Sequence, residues 1–135
     1  MIEMAKWVAE TYHKGQFRKD GHTPYIEHVN AVADAVTLRL KPIAYLHDVV
    51  EDTSMTLEEL IQLGFDDYVI DAVDLLTHKN RIPSMEYWKE IATNPDAVKV
   101  KLADIQHNLS SQPSERAKVK YSKALTFFKS QGYST

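Results

Sequence analysis

One short run of the sequence contains four ionisable side chains that could act together in chemistry. His47 and Asp48 are followed at helical spacing by Glu51 and Asp52. Residues four apart on a helix differ by only about 40° around its axis, so we expect all four side chains to crowd one side of one helix. The preceding residues 43–46 are largely apolar and predict burial. Because uncompensated buried charges are costly, this run indicates a site for a divalent cation.

Two further segments contain residues that could share this cation. Pro24 starts a helix-like segment, in which His28 lies one turn further along. Asp104 and Asn108 are four residues apart and share a face of a second segment, whose apolar residues predict a helix through the core. An aspartate in such a helix needs a partner, and a metal ion is a good candidate.

Taken in chain order, these residues belong to four motifs that resemble the alarmone hydrolase domain. This domain is an HD-type phosphohydrolase domain found in Rel/SpoT-type proteins and in small stand-alone alarmone hydrolases. The resemblance covers residues 13–108, which is most of the chain. The motifs are His13-Lys14-Gly15-Gln16-x-Arg18-Lys19, Pro24-Tyr25-x-x-His28, His47-Asp48-x-x-Glu51-Asp52-Thr53 and Leu102-Ala103-Asp104-x-x-His107-Asn108.

The resemblance implies an all-α HD fold and a reaction that removes pyrophosphate from the ribose 3′ position of (p)ppGpp. Glu51 and Asp52 would orient and activate water. Glu51 is favoured as the base, with Asp52 holding or relaying the proton, but the sequence does not rank the two firmly. The expected cofactor is one Mn²⁺ ion, for which other divalent cations could substitute. Its implied ligands are His28, His47, Asp48 and Asp104.

The implied substrate contacts come from other positions. Arg18 and Lys19 match a basic pair that approaches substrate phosphates, and Asn108 matches a residue that lines the nucleotide pocket. Tyr121 corresponds, by a looser alignment, to a pocket tyrosine on the last helix. The chain departs from the family in a shortened segment between residues 77 and 104, in Ser110, where arginine is frequent, and in an unusual histidine at position 22.

Two other functions stay open. The first is an HD phosphohydrolase that acts on nucleoside monophosphates or deoxynucleoside triphosphates. The position of Glu51-Asp52 directly after His47-Asp48 favours the (p)ppGpp reaction, whereas the shortened segment and Ser110 leave the guanine and 5′-diphosphate contacts open. The second is a nucleotide-sensing module without turnover. A sensor of that kind is expected to lack acid–base groups, and both Glu51 and Asp52 are present.

The bulk composition sets limits on these functions. The 135 residues fit a single domain, 1–135, and 44% hydrophobic with 26% charged residues is ordinary for a soluble globular protein. A formal net charge of −3 gives no basic field for a nucleic-acid polymer. The absence of cysteine excludes disulfides and thiolate metal sites and agrees with a cytoplasmic location. No apolar stretch approaches the ~20 residues of a membrane span.

Helical spacing over nearly the whole chain predicts about seven or eight short helices in one bundle-like domain. A first helix is predicted to carry Met4, Trp7, Val8 and Tyr12 on one stripe and to end near Gly15. Thr56 and Glu59 have capping-box spacing, and Gly64 is placed to end that helix. Each of the five prolines stands just before or at the start of a helical segment. Apolar residues on the last helix either complete the core or form a homodimer interface. Core or interface positions are also predicted for Trp7, Trp88, Phe127 and Phe128.

Overall fold

Helices account for the regular secondary structure of residues 1–134, which are the residues that the computed structural model describes. The predicted all-α class is thereby confirmed. Within residues 1–134 there are nine α-helices and one 3-10 helix, Leu38–Leu40. The α-helices are α1 (Ile2–Tyr12), α2 (Tyr25–Asp34), α3 (Lys41–Leu46), α4 (Val49–Asp52), α5 (Leu57–Gln62), α6 (Asp67–Leu76), α7 (Ser84–Ile91), α8 (Pro95–Ser110) and α9 (Glu115–Ser130).

The short helix α3 lies at the centre of the hydrophobic core. Its residues from Pro42 to Leu46 are all buried, and Ile43 and Leu46 have no exposed surface. Helices α1, α2, α6 and α8 pack against it. Full burial of an isoleucine or leucine side chain stabilises a fold by about 1.5–3 kcal/mol, so this helix is firmly anchored. His47 follows α3 directly, and the core therefore fixes the start of the functional run.

The helix predicted to carry all four ionisable residues is interrupted, and that prediction is wrong. The α3 helix ends at Leu46, the next two residues form a turn, and α4 begins at Val49. Asp48 has φ −111° and ψ −1°, outside the usual helical range. His47 consequently points into the core, whereas Glu51 is exposed to solvent. The side chains of the adjacent residues His47 and Asp48 converge at this turn, where Nε2 of His47 lies 2.9 Å from Oδ2 of Asp48.

The first helix buries only part of the predicted stripe, since Val8 and Tyr12 pack in the core while Met4 and Trp7 do not. Met4 and Trp7 are 43% and 55% exposed, whereas Ala5, Val8 and Ala9 have no exposed surface. The two alanines have small side chains, which let α1 approach α3 closely. Trp7 is therefore a surface residue. Trp88 and Phe128 are buried as expected, and Phe127 is partly buried.

The helix boundaries follow the predicted capping signals. The hydroxyl oxygen of Thr56 accepts from the backbone N–H of Glu59 at 3.1 Å, and Oε1 of Glu59 accepts from the backbone N–H of Thr56 at 3.1 Å. Gly64 follows the end of α5 with φ +91°, which favours glycine. All five prolines precede a helix or stand in its first turn. Among residues 1–134, no helix combines the length and apolarity needed to cross a membrane.

Candidate functional site

Four side chains from three parts of the fold converge at one buried point. His28 comes from α2, His47 and Asp48 come from the turn between α3 and α4, and Asp104 comes from α8. Each contributes one ligand atom, and these atoms all lie within 4.8 Å of one another. Nε2 of His28 lies 2.8 Å from Oδ1 of Asp104, and Nε2 of His47 lies 2.9 Å from Oδ2 of Asp48. The structure thus brings together the four residues predicted to hold a metal.

The orientation of His47 fits a metal ligand. Its Nδ1–H donates to the carbonyl oxygen of Ala44 at 2.6 Å, which directs Nε2 towards the carboxylates. Nε2 is buried and makes no hydrogen bond, although Asp48 and Asp104 oxygens lie 2.9 Å and 3.4 Å away. Close but misaligned polar atoms are expected where side chains are directed at a common ion. Two imidazoles and two carboxylates suit a borderline-hard divalent cation.

The charges in this cluster favour a cation between the two carboxylates. Burial disfavours the charged form of His47, but the nearby Asp48 and Asp104 outweigh this effect and raise the pKa of His47 well above its ordinary value. The same burial would raise the pKa of Asp104, yet Lys101 and the two histidines hold it well below its usual range. Two ionised carboxylates in a buried site need compensating positive charge. A proton can supply it, and so can a divalent cation.

His107 holds the ring of His28 in place. Nδ1 of His28 and Nδ1 of His107 share a hydrogen bond of 2.7 Å. Burial lowers the pKa of His107, which favours the neutral ring and lets its Nδ1 accept from His28. Nε2 of His28 is then left for the ion, the usual arrangement when the second nitrogen of a ligating histidine is fixed by a neighbour. The contact of His107 is therefore a supporting one.

Tyr25 has a supporting contact that the sequence analysis did not assign. Its hydroxyl group donates a hydrogen bond to Oδ2 of Asp48. Burial, reinforced by the negative charge of Asp48, raises the pKa of Tyr25 and keeps this donor protonated. Tyr25 and His28 are three residues apart at the start of α2. One helical turn therefore supplies both His28 and the hydroxyl group that holds Asp48. This i, i+3 spacing was the available sequence signal.

The two predicted catalytic acids lie on α4 and face a cleft beside the cluster. Oε1 of Glu51 accepts from the backbone N–H of His78 at 2.7 Å, which fixes the direction of this carboxylate. The carbonyl oxygen of Asp52 accepts from Nε2 of Gln16 at 2.9 Å, so the loop after α1 braces the end of α4. Burial, followed by the charges of Asp48 and Glu51, raises the pKa of Asp52 to about 6. A carboxylate with such a pKa is suited to proton transfer near neutral pH.

The cleft has a volume of about 200 Å³ and contains two of the four predicted substrate residues. Asn108 and Tyr121 line it directly. Arg18 reaches its edge, where Nη2 donates to Oδ1 of Asn108 at 3.0 Å. Lys19 is exposed and does not line the cleft. Several lining residues were not predicted from the sequence, namely Tyr25, His78, Tyr87, Lys101 and Lys120.

Comparisons with known proteins find similar hydrolases. No family model matches the chain. The mouse and human proteins named guanosine-3′,5′-bis(diphosphate) 3′-pyrophosphohydrolase MESH1 are 35% and 37% identical over 122 residues, which cover 81% of this chain and 67% of theirs. A GTP pyrophosphokinase of Streptomyces coelicolor is 37% identical, but the chain spans only 14% of its length.

One solved structure has a similar fold over nearly the whole chain. It is described as a metazoan ortholog of SpoT that hydrolyzes ppGpp and plays a role in starvation responses. The TM-score is 0.72 and the sequence identity is 26%, with 95% of this chain and 81% of the other chain covered. The sequence resemblance and the fold therefore agree.

Proposed function

The chain belongs to the Rel/SpoT-like family of HD-type ppGpp hydrolases that includes MESH1, and we propose that it removes the 3′-pyrophosphate of (p)ppGpp or of a closely related nucleotide. One observation carries this proposal. Four potential metal ligands converge at the wall of a cleft that also contains Glu51 and Asp52. A metal-binding cluster beside two acid–base groups is an arrangement suited to the hydrolysis of a phosphate ester.

We propose Mn²⁺ as the ion, held by His28, His47, Asp48 and Asp104. The mixed nitrogen and oxygen donors support a cation of intermediate hardness, and the family resemblance favours manganese. A bound divalent cation polarises a phosphoryl oxygen and lowers the pKa of water.

The protein's own residues supply the proton transfers in the proposed reaction. Glu51, fixed by the backbone N–H of His78, accepts a proton from the attacking water. Asp52 lies in the same cleft and relays that proton. The oxygen of water adds to the phosphorus attached to the ribose 3′ oxygen, and the bond between these two atoms breaks. The departing 3′ oxygen takes up a proton, which leaves a 3′ hydroxyl group and free pyrophosphate.

A nucleotide panel tests the proposed reaction. Purified protein with Mn²⁺ would be given (p)ppGpp, nucleoside monophosphates and deoxynucleoside triphosphates, and the released group would be identified by ion-exchange chromatography. We expect pyrophosphate from (p)ppGpp and little turnover of the other substrates. Failure to release pyrophosphate from (p)ppGpp, with orthophosphate or triphosphate released from other nucleotides, would contradict the proposal.

A second candidate function is hydrolysis of another nucleotide by the same site. The observation that favours it is at Ser110, where the family frequently has arginine. The Ser110 hydroxyl donates to the carbonyl oxygen of His107 at 2.7 Å and supplies no positive charge for a 5′-diphosphate. A substrate with fewer phosphates would need no such charge. Orthophosphate or triphosphate release in the same panel would identify this function. A sensor without turnover is disfavoured by the presence of both acids in the cleft.

Replacing Arg18 with alanine should raise the KM for the nucleotide by about tenfold or more, because a hydrogen bond to a charged group contributes about 1.5–3 kcal/mol. Arg18 already stands at the edge of the cleft through Asn108, and its fork can bind phosphate oxygens in pairs. Lys19→Ala is the matched comparison and should raise KM less, since Lys19 is exposed and does not line the cleft. Steady-state kinetics measures both. An unchanged KM in the Arg18 variant would show that Arg18 does not contact the substrate.

The proposed function also includes an oligomeric state and a cellular location for the protein. We propose that a homodimer forms along α7 and α9, where Met85 and Val119 are 44% and 54% exposed beside a groove that also contains Phe127. Light scattering during size-exclusion chromatography tests this arrangement. A cytoplasmic location is proposed as well, and the absence of cysteine agrees with it.

A further inference from the structure

Lys101 places a positive charge at the wall of the cleft, and the reaction described above does not use it. It lies three residues before Asp104 on α8, and its side chain is only 19% exposed. Its Nζ donates a hydrogen bond to Oδ2 of Asp104 at 3.2 Å. A lysine is seldom buried to this extent without a partner, and here the partner is a predicted metal ligand.

The two oxygens of Asp104 have different neighbours. Oδ1 faces Nε2 of His28 at 2.8 Å and Nε2 of His47 at 3.4 Å. The Nδ2 group of Asn108 donates to the same oxygen at 3.3 Å. Oδ2 is instead held by Lys101. One oxygen is therefore directed at the histidine cluster, and the other is engaged on the opposite side of the carboxylate.

A buried aromatic residue holds Lys101 in this position. Nζ lies 5.3 Å from the ring centroid of Tyr87, within the range of a cation–π interaction. The Tyr87 hydroxyl donates to the carbonyl oxygen of Leu76 at 2.5 Å, which fixes the ring. The same ring stacks on His78 with centroids 4.2 Å apart and an interplanar angle of 4°. Since the backbone N–H of His78 holds Glu51, Tyr87 supports both the lysine and the proposed base.

We propose that Lys101 is a positioning residue, which engages Oδ2 of Asp104 so that only Oδ1 is presented to the metal. This inference rests on the proposed metal-dependent function. A carboxylate free on both sides can bind a cation through both oxygens. Engagement of Oδ2 by an ammonium group prevents this and preserves an open position on the ion for water or substrate. Removing the ammonium group should therefore alter the hydration of the bound ion and not only the stability of the protein.

The test compares Lys101→Met with wild-type protein loaded with Mn²⁺. With four protein ligands, about two of six octahedral positions are open, so loss of one should reduce the water-proton relaxivity per bound ion by about half. We expect kcat to fall by about 10–100-fold, the usual range for a residue that orients a metal ligand. The Mn²⁺ dissociation constant should fall, because the additional oxygen ligand and the removal of a charge that repels the ion both strengthen binding.

Two further variants control this experiment. Lys99→Met lies on the same helix but is exposed, so it should leave relaxivity and kcat unchanged. Lys101→Arg keeps a cation with N–H donors and should retain most of the wild-type relaxivity. A Lys101→Met protein with unchanged relaxivity and a raised KM would overturn the proposal and make Lys101 a substrate contact. Wild-type protein that binds Mn²⁺ but hydrolyses no (p)ppGpp would overturn the proposed substrate instead, while the relaxivity comparison would still test Lys101.

Discussion

His47→Ala should abolish metal binding and turnover together. His47 is 3% exposed, and its Nε2 atom lies at the centre of the cluster, 2.9 Å from Asp48 and 3.4 Å from Asp104. Alanine removes one of four ligands and leaves a cavity that the anchored α3 helix cannot close. We expect Mn²⁺ affinity to fall by at least about 100-fold, beyond the range for residues that merely orient a ligand.

The same substitution should also destabilise the metal-free protein. Without His47, the carboxylates of Asp48 and Asp104 face each other with less compensating positive charge. Removal of one partner from a buried ion pair typically costs about 3–5 kcal/mol, and we expect a loss of this order in the free energy of unfolding. Urea denaturation of the metal-free protein would measure it.

Metal content and activity would be measured by elemental analysis, calorimetric titration and pyrophosphate release. His22→Ala is the matched control, because His22 has an 82% exposed side chain and lies outside the cluster. This control should bind metal with wild-type affinity. A folded His47→Ala protein that retains a full equivalent of metal and its turnover would show that His47 is not a ligand.

Glu51→Gln should lose turnover but keep the metal. The amide is nearly isosteric, and its oxygen can still accept from the backbone N–H of His78, so the geometry of α4 should be preserved. What disappears is the capacity to accept a proton from water. General-base catalysis contributes about 10²–10⁴-fold to the rate, and kcat should fall by that factor. The Mn²⁺ dissociation constant should stay near the wild-type value, because Glu51 is not among the four converging ligands.

Single-turnover kinetics and calorimetric metal titration would separate these two effects. Glu58→Gln is the matched control, since Glu58 is an exposed glutamate on α5 and does not line the cleft. Asp52→Asn should be measured alongside Glu51→Gln, and we expect a smaller loss of kcat in Asp52→Asn if Asp52 relays the proton. A larger loss of kcat in Asp52→Asn than in Glu51→Gln would show that Asp52 is the base and Glu51 the proton relay. Wild-type kcat in Glu51→Gln would exclude Glu51 as the base.

Much of the fold could be predicted because its signals are local. The capping box of Thr56 and Glu59, the prolines at helix starts and the helical spacing of apolar residues depend on neighbours within a few positions. The burial of α1 was less predictable. Met4 and Trp7 are more hydrophobic than the alanines beside them, yet the alanines face α3 because close approach of the two helices requires small side chains.

The residue types available for chemistry, and their order along the chain, follow from the sequence alone. His28, His47, Asp48 and Asp104 were implied as a ligand set by resemblance, and they stay a prediction that the geometry supports. The direction in which each ligand atom points depends on how the helices pack. The break between α3 and α4 is a local departure from helical geometry, and the hydrogen bond that His28 donates to His107 arises from packing between distant segments. Lys101 and Asp104 are neighbours on α8, but the contact of Lys101 with the Tyr87 ring depends on how α7 and α8 pack. Helical periodicity specifies the face on which a residue lies, but the partner on that face is chosen by how the helices pack.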